Sequence, residues 1–111
     1  MNKGINTVIY PVKDMVQSKA MFEKLLGVVP YADQPYYIGF KVEGQDIGLV
    51  PKNAEGGMTA FYHVDDIKSS LQILVDAGAE IIQEIKNVGG GRLVASAKDK
   101  DGNLIGLVEN K

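Results

Sequence analysis

The chain contains no cysteine, no tryptophan and a single histidine, His63. Without cysteine it can form no disulfide framework, no thiolate metal site and no cysteine nucleophile. A catalytic zinc, iron or nickel centre draws about three protein ligands from His, Cys and carboxylates, and one imidazole is a poor start on that set. The acidic residues sit mainly at helix starts and turns, where capping and solvation account for them, so neither a metal nor another cofactor is expected. Long apolar runs are missing too. None approaches the roughly 20 residues that cross a bilayer, and Met1 to Asn6 lacks the apolar stretch of a signal peptide. The expectation is a cytoplasmic protein with no membrane partner. A basic stripe is also lacking: 12 Lys and Arg against 14 Asp and Glu give a net charge of −2, spread along the chain, which argues against nucleic acid. What remains, 111 residues of which 45% are hydrophobic and 23% charged, suits one domain, 1–111, that folds on its own core.

Hydrophobic periodicity and turn residues divide that domain. Ile5 to Val12 is rich in β-branched residues and ends at Pro11, which has no backbone donor, so it reads as a strand. Asp14 then offers an N-cap, Gln17 stands at capping-box distance, and Met15, Phe22, Leu25 and Leu26 recur at helical spacing until Gly27. Extended stretches are expected at Val28 to Tyr31, Tyr36 to Glu43 and Asp46 to Val50, separated by Asp33 to Pro35 and by Glu43 to Gln45. The pattern βαβββ then starts again. A strand from Met58 to Val64 leads into a helix from Asp65 or Asp66 to Ala77, with Ile67, Leu71, Leu74 and Val75 as its apolar face. Strands follow at Glu80 to Lys86, Arg92 to Lys98 and Leu104 to Val108, with turns at Gly89 to Gly91 and Asp101 to Asn103.

The two halves match in residues as well as in element order. Residues 7–14, TVIYPVKD, align with 59–66, TAFYHVDD, and Ser18 then matches Ser70. Residues 44–50, GQDIGLV, align with 102–108, GNLIGLV, at the same element of each half. Two tandem βαβββ modules are therefore expected, one at about 1–54 and the other at about 55–111.

On these residues the chain resembles the vicinal-oxygen-chelate superfamily of glyoxalases, bleomycin resistance proteins and extradiol dioxygenases. Val12 to Met15 with Phe22 and Leu25 to Gly27 is similar to its first module. Val64 to Ile67 with Ala77 to Ala79 is similar to its second, and Lys98 to Val108 to its closing hairpin, although Lys100 stands where the family often has Pro. The resemblance implies an α+β fold in which the two modules form a curled, cup-shaped mixed sheet, ligand inside and helices outside. It also implies where metal ligands belong: a His seven residues before the Asp of each helix start, here Thr7 and Thr59, and an acidic residue or Gln near the ends of the fourth and eighth strands, here Gly48 and Gly106. None of the four can fill that role. The resemblance to metal-free bleomycin-resistance members further implies a homodimer that binds in clefts.

Strand alternation puts Thr7 and Ile9 on one face of the first strand and Tyr10 and Val12 on the other. The same count groups Thr59, Phe61 and His63, with Gly48, Val50, Gly106 and Val108 on the closing strands. That lining is mostly apolar with two hydroxyls and one imidazole, which suits a small-molecule ligand with a few polar groups. Each residue also has a plainer explanation. The threonines are good strand formers, the glycines can mark close packing, and His63 near a strand end can simply be solvated. Tyr36 and Tyr37 can supply a phenol or pack, and Arg92 reads as a solvated strand-start cation. Three readings stay open: a metal-independent binding protein; a metal-independent isomerase or lyase acting on a small carbonyl compound, with His63 or a Tyr as acid or base; and an interaction domain in which bulky side chains fill the space over Gly48 and Gly106.

Overall fold

The structure is a computed structural model that describes residues 2–52 and 57–110. In chain order the elements are β1 Asn2–Val12, α1 Met15–Leu26, β2 Ala32–Gln34, β3 Tyr37–Val42, β4 Gln45–Pro51, β5 Thr59–Val64, α2 Ile67–Asp76, β6 Glu80–Asn87, β7 Leu93–Lys98 and β8 Leu104–Glu109. The fold is mixed α+β, with βαβββ order occurring twice. Residues 6–58 form one compact unit, and residues 1–5 together with 59–111 form another.

In the first unit the strands run in the order β2-β3-β4-β1, with β1 and β4 parallel and the other neighbours antiparallel. Helix α1 starts where Asp14 turns extended and its carboxylate accepts the Gln17 N–H at 3.0 Å, satisfying one of the free donors of the first turn. It stops at Gly27, whose φ of +73° is a left-handed conformation that costs an L side chain about 1 kcal/mol or more. The helix buries Phe22 against Ile38, Phe40 and Leu49, with Tyr10, Val12 and Ile47 packed alongside. Phe22 lies between two aromatic neighbours, 5.1 Å from the Tyr10 ring centroid and 6.2 Å from that of Phe40. Burial of each such side chain contributes about 1.5–3 kcal/mol.

One strand differs from its sequence expectation. The second strand is Ala32–Gln34, not Val28 to Tyr31, and Asp33 and Gln34 belong to it as partners of Ile38 and Tyr37. The reversal is therefore a tight turn at Pro35 and Tyr36, where Pro35 has no N–H to give to a ladder. The segment before β2 leaves Val29 exposed, and there the Tyr31 N–H is bonded to the Gly39 carbonyl at 2.9 Å.

The second unit has the order β5-β8-β7-β6, with the first residues of β1 beside β5. Again β5 and β8 are parallel and the hairpins antiparallel. Two carboxylates serve the start of α2. Asp66 accepts from the N–H and hydroxyl of Ser69 at 3.2 and 2.9 Å, and Glu109, at the end of β8, accepts the Ile67 N–H at 2.9 Å. The helix packs Ile67 and Leu71 onto Val64, Ala95 and Leu107, with Tyr62, Leu74, Ile81 and Ile85 around them. Among the described residues no helix is long and apolar enough to cross a membrane.

Candidate functional site

Each unit covers one face of its strands with its helix, so the chemistry to be weighed lies on the other face. In the first unit that face is organised in two rows. Parallel pairing sets Thr7 beside Asp46, and antiparallel pairing sets Asp46 beside Lys41. The next row runs Ile9, Gly48, Gly39, Ala32 across β1, β4, β3 and β2.

The two glycines of the second row make a trough, and aromatic side chains lie directly in it. A Cβ at Gly39 would stand 2.7 Å from Cζ and the hydroxyl of Tyr31 and 2.8 Å from Cε2 of Tyr37. One at Gly48 would stand 2.6 Å from Cδ1 of Ile9 and 2.8 Å from Cε1 of Tyr37. Both distances are far inside the 3.5–4.0 Å of ordinary carbon contact, so the rings need glycine beneath them. The Tyr31 hydroxyl donates to Oδ1 of Asp46 at 2.7 Å and lies 3.4 Å from that of Tyr37. Lys41 Nζ approaches Oδ2 of Asp46 at 3.4 Å and sits 5.5 Å above the Tyr31 ring. Asp46 is only 9% exposed and Thr7 4%, so this is a buried carboxylate with a phenol and an ammonium on it. Tyr31 is more than half exposed as a residue, but its hydroxyl end is sunk against these partners. That desolvation, then the hydrogen bonds to Tyr37 and Asp46, push its pKa well above the usual phenol value.

In the second unit the corresponding face is apolar. Phe61, Gly106 and Ser96 form one row, and His63, Val108 and Val94 the next. The Phe61 ring covers Gly106, where a Cβ would lie 2.5 Å from Cδ2. Val108 is fully buried, Thr59 is partly buried, and the Asn110 amide nitrogen is 3.4 Å from Nδ1 of His63.

The expected site residues thus fall into two groups, each within its own unit: Thr7, Ile9, Gly48 and Val50 in the first, and Thr59, Phe61, His63 and Gly106 in the second. Ile9 and Tyr37 occupy the space beside Gly48, and Phe61 that beside Gly106, so neither glycine leaves an open hole. Threonine hydroxyls, bare glycines and hydrocarbon are a donor set that does not fit a resident transition metal. Among the described residues no three His, Asp or Glu side chains gather to hold one. The residues that sequence reasoning did not single out are Tyr31, Asp46 and Lys41. Alternation carried the signal, because Asp46 lies two residues before Gly48 and so shares its face.

Comparison with known proteins places this arrangement. No curated protein matches the sequence. Among solved structures, a glyoxalase/bleomycin resistance protein/dioxygenase superfamily member from Vibrio splendidus 12B01 is similar with a TM-score of 0.77 at 15% identity, covering 100% of both chains. Methylmalonyl-CoA epimerase from Mycobacterium tuberculosis is similar with a TM-score of 0.78 at 17% identity, over 99% of this chain and 89% of that one. The Mn(II)-bound glyoxalase from Novosphingobium aromaticivorans is similar with a TM-score of 0.77 at 20% identity, over 99% of this chain and 40% of that one. At such identities these likenesses speak for the fold. The model of the Glyoxalase/Bleomycin resistance protein/Dioxygenase superfamily matches residues 4–107, and the chain belongs to that superfamily.

Proposed function

We propose that this chain is a metal-independent small-molecule-binding member of its superfamily, with the sheet face of the first unit as a principal contact surface. The observation that supports this reading is the polar cluster beside the filled glycine trough, in which the Tyr31 hydroxyl and the Lys41 ammonium meet the buried Asp46 next to Tyr37. Such a surface offers an apolar floor, two phenol oxygens with lone pairs, and one ion pair beside them, the mixture typical of ligand sites. Because the Tyr31 proton is committed to Asp46, the Tyr31 oxygen is left as an acceptor. The ligand is accordingly a mostly apolar molecule carrying a hydroxyl, amide or amine donor.

The test is a fragment screen by amide NMR on the chelator-treated protein. Hits should shift the Gly39 and Gly48 amides, weaken when Tyr31 is changed to Phe, and be unaffected by added Mn(II) or Zn(II). Binding that requires added metal, or that leaves both amides unmoved, overturns the reading. A second reading, a metal-independent isomerase or lyase acting on a small carbonyl compound, is favoured by the Asn110 amide within reach of His63. It requires turnover that survives chelator and disappears in His63→Ala.

A further inference from the structure

The duplication supplies an internal control for packing on the helix side of each unit. Aligned by the repeat, Phe22 of α1 corresponds to Leu74 of α2, and Tyr10 to Tyr62. On the closing strands Ile47 and Leu49 correspond to Ile105 and Leu107. Ile38 and Phe40 pair with Leu49 and Ile47, whereas Ala95 and Ala97 pair with Leu107 and Ile105. The second unit therefore carries Leu for Phe, Ala for Ile and Ala for Phe at three positions under its helix. Ile81 and Ile85 of the longer β6 restore part of that volume on one side of the core. On the other side, where Leu74 replaces Phe, a cavity of about 490 Å³ lies beside α2, floored by Leu74, Ile105 and Leu107 and bordered by Tyr62. In the first unit the Phe22 ring, 5.1 Å from Tyr10, stands at the matching place.

The mouth of this cavity is polar. Asp66, Ser69 and Ser70 of the α2 start and Asn2 of β1 line it, and Asp66 is the one charged side chain among the described residues that do so. We propose that this cavity is a second binding site, for a small amphipathic amine whose apolar body lies on Leu74, Ile105 and Leu107 and whose ammonium meets Asp66. Its size falls within the 300–1,000 Å³ common for ligand pockets. Hydrogen bonds from the backbone and hydroxyl of Ser69 hold Asp66 below the usual carboxylate range, so it is ionised at neutral pH. Those two bonds occupy one lone pair on each oxygen and the Lys68 backbone N–H takes a third, which leaves one acceptor position for a ligand. The partial positive charge of a helix N-terminus, about half a unit, opposes a cation there. The full charge of Asp66, the one carboxylate among the described lining residues, exceeds it, with Lys68 as the nearby cation. The site lies on the helix side of the sheet and is independent of the surface formed by Tyr31, Tyr37 and Asp46.

The experiment uses phenethylamine as the probe, with phenylacetate and 2-phenylethanol as charge-reversed and neutral controls, followed through the amide NMR spectrum of the whole chain. Phenethylamine is expected to give saturable shifts at Ser69, Ser70 and Ile105, and phenylacetate none there. Asp66→Asn retains a side chain that caps helices as well as Asp and should weaken the amine roughly threefold to tenfold, while 2-phenylethanol is unaffected. Leu74→Phe, which installs the residue of the first repeat, should abolish binding and raise Tm. The proposal is overturned if phenethylamine produces no saturable shift up to millimolar concentration. It is equally overturned if phenylacetate binds as well as the amine, if Leu74→Phe binds undiminished, or if the amine's shifts fall on Gly39 and Gly48 instead.

Discussion

Substituting Ala for Gly106 asks directly whether that glycine leaves room or supports a ring. The added methyl would stand 2.5–2.7 Å from three ring carbons of Phe61, about 1 Å inside ordinary contact. Overpacking of this kind costs about 1–3 kcal/mol. Gly106 lies within β8 and shows no positive φ, so Ala itself is favoured over Gly there by about 0.5–1 kcal/mol. The net expectation is a loss of about 0.5–2 kcal/mol. For 111 residues the unfolding entropy is about 0.23 kcal/mol/K, so Tm should fall by about 2–9 °C. In a Phe61→Ala background the ring is gone and the sign reverses: Gly106→Ala should then raise Tm by about 2–4 °C. The double-mutant cycle, measured by urea unfolding, should show a coupling of about 1–3 kcal/mol. A Gly106→Ala protein as stable as the parent, with no coupling to Phe61, would refute the argument and return Gly106 to the role of an open gap.

Two further outcomes concern pH. The Tyr31 phenol has a folded pKa raised above its unfolded value; its contribution to stability is therefore complete below about pH 10 and is lost as pH rises through the folded pKa. Tyr31→Phe should leave the absorbance rise at 295 nm up to pH 11 unchanged, and a rise smaller by one tyrosine would contradict the assignment. Asp99 is held low by hydrogen bonds from the side chain and backbone of Asn103, and Asp66 by those from Ser69, so both contribute stability above their unfolded pKa that is lost as pH falls through the folded one. Thermal unfolding should show Tm declining below about pH 4, with a shallower decline in Asp99→Asn; an unchanged slope would show that the Asp99 turn does not contribute.

Much of the fold was legible because several kinds of signal agreed at each element. Asp14 and Gly27 bracket α1, Asp66 and Gly78 bracket α2, and the matching Ile-Gly-Leu-Val stretches mark two parallel closing strands. The second strand was misplaced because Val28 and Val29 have strong β propensity while Asp33 and Gln34 do not, and pairing with Tyr37 and Ile38 across a tight turn overrides propensity. The candidate site was half legible. Alternation grouped Ile9 with Gly48 and Phe61 with Gly106, and the contacts place each pair together. It could not show that side chains of the same face already lie on those glycines, because that depends on rotamers and on Tyr31, which arrives from outside any strand. The cavity beside α2 was invisible for a different reason: it adjoins Leu74, which stands where the first repeat has Phe22, and a hydrophobic pattern treats the two as equivalent.

The division of β1 carries a consequence for the history and handling of the chain. Its opening residues, through Ile5, belong with the unit made of residues 59–111, while the rest of the strand belongs with residues 6–58. The unit that holds the second repeat is then not a contiguous piece of sequence, whereas residues 6–58 are. A fragment beginning at Thr59 would lack the strand residues that border β5, and trimming the amino terminus would weaken the carboxy-terminal half before the half to which it is joined.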